Sequence, residues 1–252
     1  MKILVNNQLI EYQDEGSGKI LLLLHGWGMS LETFNLLANH LSKKFRVIRF
    51  DFPGFGQSPK PSDDWLVSDY AKLTRDLLEK LKINQVFAVI GHSFGGRVII
   101  KGISLNYLKP NKVVLISSAG IKPKQNFKKT VYKTVAKIGK FTTSIPILNK
   151  IQPTLKNKLY KSAGNTDYLH ANQMKKIFLN ITNEDLLPEV SKISQHSLLI
   201  WGSDDTITSP SDAILILKSL QNGNLILIPD AGHLVYIDKP NQVSAELDAF
   251  LS

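Results

Sequence analysis

The 252-residue chain is 43% hydrophobic and 21% charged, the balance of a soluble globular protein with a well-buried core rather than of a disordered or fibrous one. It has no cysteine, which excludes a disulfide framework, a thiolate metal site and a thiol nucleophile. The formal charge is +10, but thirteen lysines against four carboxylates place most of it between residues 121 and 190, and the remainder carries 18 basic against 17 acidic residues. That excess lacks the arginine and interleaved aromatics of nucleic-acid readers, so no nucleic-acid partner is expected.

From the start, KILV (2–5) and QLIEY (8–12), joined by Asn6 and Asn7, read as an antiparallel hairpin. The two asparagines also interrupt the early apolar run, so no signal-peptide core forms and a cytoplasmic location is expected. Short, nearly continuous apolar runs follow: ILLLL (20–24), FRVIRF (45–50), VFAVI (86–90), KVVLI (112–116), SLLIW (197–201) and NLILI (224–228). The longest is far too short to cross a bilayer. Continuous apolarity implies burial on both faces, as in parallel strands covered by helices. Helical patterns fill the intervals at 31–42, 66–82, 94–107, 210–220 and 239–251. The predicted fold is α/β: about eight strands, mostly parallel, with helices on both faces.

One interval breaks the alternation. Residues 121–190 contain no convincing strand, and Phe127, Val131, Val135 and Ile138 recur at helical spacing with lysines around the wheel. Further helical stretches are expected at 167–181 and 184–193. The division predicted is a core of 1–120 and 191–252 with a helical insertion at 121–190. Its lysines are expected to form a solvated face, with attraction to anionic substrates or a membrane surface the lesser alternative.

The chemistry concentrates at GHSFG (91–95). A serine between two glycines, after a buried strand and before a helix, marks a tight turn that leaves the hydroxyl exposed at the C-terminal edge of the sheet. A serine needs a base, and the base an orienting acid, here expected in the order serine, acid, histidine. His233, in PDAGHLVYID after the strand at 224–228, lies at the same sheet edge as Ser93. His196 precedes its strand and falls at the opposite edge. The acid follows the strand at 197–201, where WGSDD offers Asp204 and Asp205, and spacing does not choose between them. For the oxyanion, Phe94 after the nucleophile supplies one backbone N–H and Trp27 in HGWG (25–28) the other. GSGK (16–19) lacks the spacing of a phosphate loop. No metal or cofactor is expected.

Taken in order, HGWG (25–28), DFPGFGQS (51–58), GHSFGG (91–96), WGSDD (201–205) and DAGH (230–233) resemble the α/β-hydrolase superfamily, of the small capped type, over essentially the whole chain. The resemblance implies that the acid is Asp205, that Trp27 and Phe94 line the oxyanion hole, that 121–190 is the cap, and that Asp51 holds loops near the site. A serine at position 93 departs from relatives with an aspartate nucleophile, the haloalkane dehalogenases and epoxide hydrolases. The expected activity is cleavage of a small-molecule carboxylic ester through an acyl-enzyme. Carbon–carbon hydrolysis, acyl transfer on the same triad, and a ligand-binding role for the scaffold are the alternatives.

Overall fold

A computed structural model describes residues 1–61, 64–122 and 171–252. The predicted helical positions Phe127, Val131, Val135 and Ile138, and most of the predicted cap, lie outside these residues.

The eight expected strands form one sheet: β1 (Lys2–Val5), β2 (Gln8–Gly16), β3 (Ile20–Leu24), β4 (Arg46–Phe50), β5 (Ala88–His92), β6 (Lys112–Ile116), β7 (His196–Gly202) and β8 (Gly223–Ile228). Their spatial order is β1-β2-β4-β3-β5-β6-β7-β8. The pairs β1–β2 and β2–β4 are antiparallel and the rest are parallel. Asn6 and Asn7 both take positive φ, 47° and 64°, as a two-residue hairpin turn requires. Strand β2 runs four residues beyond its apolar pattern. Its polar end is held by ladder bonds to β4 and by ion pairs of Asp14 with Arg46 and Glu15 with Arg49.

The parallel strands read as continuous apolar runs because alternate residues enter two cores. Leu22 and Leu24 of β3, Val89 of β5, Val113 and Leu115 of β6, and Leu199 and Trp201 of β7 face one core. Leu21 and Leu23, Ala88 and Ile90, Val114 and Ile116, and Leu198 and Ile200 face the other. Helices α1 (Asn35–Leu41), entered through a 3-10 turn at Leu31–Phe34, and α8 (Pro240–Leu251) cover the second face. Helices α2 (Val67–Lys80), α3 (Phe94–Ser104), α4 (Ala171–Asn183) and α6 (Pro210–Ser219) cover the first. Two four-residue helices complete the set among the described residues, α5 (Leu187–Val190) and α7 (Val235–Asp238). The pattern at 94–107 overran α3, which stops at Ser104 because Asn106 turns left-handed at φ 58°. The stretch at 184–193 yields only the short α5.

Because β3 and β5 to β8 are parallel, the loops after them open at one edge. The chain runs from β3 to β4 on one side, then crosses back to β5 on the other side of β3. HGWG and GHSFG therefore diverge at a topological switch point, where α/β sheets form their clefts.

Candidate active site

Ser93 sits between β5 and α3 with φ 50° and ψ −109°, a conformation costing about 1–3 kcal/mol that persists only where its surroundings enforce it. The surroundings are visible at the flanking glycines. A Cβ on Gly95 would stand 2.0 Å from the carbonyl oxygen of Leu24, and one on Gly91 would stand 2.7 Å from the Gly95 carbonyl carbon. Backbone hydrogen bonds complete the turn: the Ser93 N–H donates to Ile116 O, and the Ser93 carbonyl accepts from Gly96 and Ala119. The turn aims the N-terminal end of α3 at the loops above it, and that end carries partial positive charge.

His233, on the loop between β8 and α7, donates from Nδ1 to Asp205 Oδ2 at 2.9 Å. Asp205 is buried at 3% exposure and is well provided with donors. Its Oδ1 accepts the N–H groups of Ile207 and Thr208, and its Oδ2 accepts the Thr208 hydroxyl at 2.8 Å. Burial by itself would raise the Asp205 pKa, but the hydrogen bond and charge of His233, with these further donors, outweigh it and hold the carboxyl below its ordinary value. Of the two adjacent aspartates, then, Asp205 meets His233, while Asp204 accepts from the Ser203 hydroxyl at the surface. The hydrogen bonds of His233 run to Asp205, to Thr208 and, through its carbonyl, to His92, and none reaches Ser93 Oγ among the described residues.

The loop after β3 holds Trp27, whose N–H has no acceptor among the described residues. Neither has that of Phe94. Two neighbours fix this loop. His25 is fully buried, donates from Nδ1 to the Gly26 carbonyl and accepts the Phe52 N–H at Nε2. Burial lowers its pKa to about 4. Asp51 accepts the N–H groups of Leu31 and Gln57 on its two oxygens, and burial raises its pKa to about 6. It ties the DFPGFGQ turn to the segment following HGWG, the loop-holding position that the resemblance implied.

Above the loop lies an aromatic cluster. The Trp27 ring meets Phe55, Phe94 and, from α4, Phe178 at centroid distances of 4.8, 5.5 and 5.2 Å. Helix α4 is anchored from beneath by α3. The Arg97 guanidinium donates to the carbonyls of Ile181, at 2.6 Å, and Glu184. Lys101 pairs with Glu184 and Glu189. Thr208, His92 and the Arg97–Lys101 pair carry only faint marks in the sequence: a threonine three residues after Asp205, and two cations set four apart on an otherwise apolar helix.

Among the described residues no group of three or more His, Asp or Glu side chains is arranged to hold a metal ion, and no helix is long and apolar enough to cross a membrane.

A doubly wound sheet with a strained serine turn at the switch point, and an aspartate–histidine pair on the following loops, defines an α/β hydrolase architecture. A family model described as the alpha/beta hydrolase fold matches residues 19–240, and the chain belongs to that family. It is 29% identical over 273 residues to the uncharacterized hydrolase YugF of Bacillus subtilis (strain 168), covering 98% of this chain and 94% of that one. Among solved structures it resembles the enol-lactonase from Burkholderia xenovorans LB400, with a TM-score of 0.85, 19% identity, and coverage of 100% of this chain and 99% of that one. It also resembles the esterase from Thermogutta terrifontis, with a TM-score of 0.83, 18% identity, and coverage of 100% and 97%.

Proposed function

We propose that the chain is a serine hydrolase that cleaves carboxylic esters through an acyl-enzyme. The observation that carries this reading is the 2.9 Å hydrogen bond from His233 Nδ1 to Asp205 Oδ2. It fixes the tautomer in which Nε2 is unprotonated and ready to accept a proton. In the proposed reaction Ser93 Oγ attacks the ester carbonyl as its proton passes to His233 Nε2, and the tetrahedral oxyanion accepts the Trp27 and Phe94 N–H groups. Collapse of that intermediate breaks the C–O bond, and the alkoxide leaves as the alcohol with the proton from His233. Water, deprotonated by the same histidine, then attacks the acyl-Ser93 and releases the acid. The missing Ser93–His233 hydrogen bond is compatible with this reading, because such bonds often tighten only with substrate in place.

Two further features support the reading. The rings of Trp27, Phe55 and Phe178 offer an apolar wall beside the oxyanion loop. In addition, α4 reaches from the 121–190 interval onto Trp27, as expected if that interval is a cap over a core of 1–120 and 191–252. A substrate of the cell interior, taken up without metal or cofactor, fits the same reading.

A fluorophosphonate probe tests the nucleophile directly. It should add once per chain, on Ser93, and Ser93→Ala should lower turnover of an activated ester by about 10³-fold or more. Intact mass without an adduct, or full activity in the alanine variant, would overturn the proposal. Running a carbon–carbon bond substrate beside esters of rising acyl length separates ester cleavage from the other chemistry this triad supports.

A further inference from the structure

His92, the residue between Gly91 and Ser93, is completely buried. Its Nε2 lies 3.0 Å from the carbonyl oxygen of His233. A carbonyl only accepts, so Nε2 carries the hydrogen and the tautomer is fixed. Among the described residues no other group donates to that carbonyl.

Other bonds hold the loop bearing His233. The Asp204 N–H donates to Ala231 O at 2.9 Å, the Asp230 N–H to Ser203 Oγ at 3.2 Å, and the Gly232 N–H to Asp238 Oδ2 at 2.8 Å, while the His233 ring meets Asp205 and Thr208. All of these run to the acid's own loop or to α7. Among the described residues only the His92 bond ties the loop to the strand that ends in the nucleophile. We infer that His92 is a positioning residue: by holding the His233 carbonyl it sets where the base stands relative to Ser93, its own neighbour in the chain.

The surroundings of His92 suit a permanent neutral donor. Its Nδ1 has no partner among the described residues, and a Cβ on Gly26 would stand 2.8 Å from that atom, so there is no room for an acceptor on that side. The titratable groups around it are His233, whose ring centroid lies 4.8 Å away, Tyr236 at 5.0 Å, and, farther off, Asp205 and His25. Burial first, then the neighbouring His233, pushes the His92 pKa well below the ordinary value. A charge here would oppose the imidazolium that forms on His233 during attack. His92 therefore remains neutral, and its Nε2–H remains on the His233 carbonyl, throughout the range in which a histidine base works.

The effect on turnover rests on the serine-hydrolase reading, whereas the bond itself does not, and the experiment separates them. The variants are His92→Leu, which removes the donor, and His92→Gln, whose amide nitrogen reaches the place of Nε2. Two readouts are taken: kcat and KM on an activated ester, and the proton NMR resonance of the His233 Nδ1–H held by Asp205, which requires no substrate. His92→Leu should lower kcat about 10²-fold, the cost of a misplacement of roughly 1 Å, with KM nearly unchanged, and should shift or broaden the resonance. His92→Gln should recover most of both. If His92→Leu does not fold, His92→Asn makes the same comparison, because its shorter amide stops short of the carbonyl. Wild-type kcat in a folded donor-less variant, a loss confined to KM, or a glutamine variant no better than leucine would overturn the inference. A wild-type chain that neither turns over esters nor takes the probe would overturn the hydrolase reading alone. A resonance that moves in His92→Leu but not in His92→Gln would then still support the positioning role.

Discussion

Ser93 stands where neighbouring atoms leave it no alternative, whereas Asp205 and His233 stand where hydrogen bonds hold them. On the serine side the constraint is contact: Gly95 lies so close to β3 that a single methyl group would overlap the Leu24 carbonyl. On the other side the contacts are polar and successive, from Ser117 O and Thr208 through Asp205 to the His233 ring, and from His92 to the His233 carbonyl. The loop bearing Trp27 is of the second kind, fixed by His25 and Asp51. Steric constraint is all-or-none and indifferent to pH. A hydrogen-bonded constraint can be weakened one bond at a time, and where its members titrate it must answer to pH.

The sharpest way to break this comparison is at the acid. Asp205→Asn keeps the shape but can hold His233 in the wrong tautomer, and should lower kcat about 10⁴-fold. Asp204, whose carboxylate among the described residues meets only the Ser203 hydroxyl, should tolerate asparagine with turnover nearly intact. Steady-state kinetics of the two variants side by side decide the matter. The reverse result would mean that the hydrogen bond to His233 does not orient a base.

Gly95→Ala probes the steric side. Alanine is the better helix former by about 1 kcal/mol, but the Leu24 oxygen at 2.0 Å is backbone and has nowhere to go. Overpacking of this kind costs about 3 kcal/mol or more, so the clash wins. The variant should unfold at markedly lower urea than wild type. A wild-type midpoint would show that the turn is looser than its contacts imply.

The difference in kind also explains what could be read from the sequence. Steric demands leave their mark on residue type: two glycines around Ser93, two asparagines at the hairpin, apolar runs where both strand faces are buried. The strands, the turn and the edge at which His233 emerges were all legible for that reason. Hydrogen-bond support leaves a fainter mark. Thr208 is one of many threonines, and His92 occupies a position that the turn motif leaves open. In the sequence only the family resemblance separates Asp205 from Asp204, since adjacent carboxylates differ only in the direction they point, which the loop decides. The polar end of β2 leaves no apolar pattern, because ladder bonds and ion pairs hold it.

Stability against pH should divide along the same line. His25 titrates at about 4 when folded, against an ordinary value of ~6.5. The unfolded chain therefore binds the extra proton, and stability is lost as pH falls below about 6.5. Asp51 works the other way. Its folded pKa of about 6 lies above its ordinary value of ~3.9, so the native state takes the proton first and gains stability as pH falls through 6. Between pH 7 and 5 the His25 contribution is a loss of about 2 kcal/mol and that of Asp51 a gain of about 1 kcal/mol. His92, also lowered, adds to the loss. Urea midpoints at the two pH values should therefore draw together in His25→Asn and move apart in Asp51→Asn. Equal spacing in both variants would mean that the loop bearing Trp27 is not held by titrating groups.

The smallest effect expected is at Thr208, and it tests whether the polar side is as finely graded as described. The Thr208 hydroxyl has one proton and lies 2.8 Å from Asp205 Oδ2, 3.0 Å from the Ser117 carbonyl and 3.2 Å from His233 Nδ1. It can donate to either oxygen while its lone pairs face the imidazole N–H. Thr208→Val keeps the volume and the branching and removes only this hydroxyl, while the Thr208 N–H still donates to Asp205 Oδ1. One hydrogen bond of this kind is worth about 1–1.5 kcal/mol net, so kcat should fall about tenfold. KM should hold, because the hydroxyl orients the acid rather than the substrate. Thr208→Ser retains the hydroxyl and should stay within a few-fold of wild type. A valine variant as active as wild type would show that the Asp205–His233 pair stands without this support. A valine variant as slow as Asp205→Asn would show instead that the hydroxyl, and not the carboxylate alone, fixes the tautomer of His233.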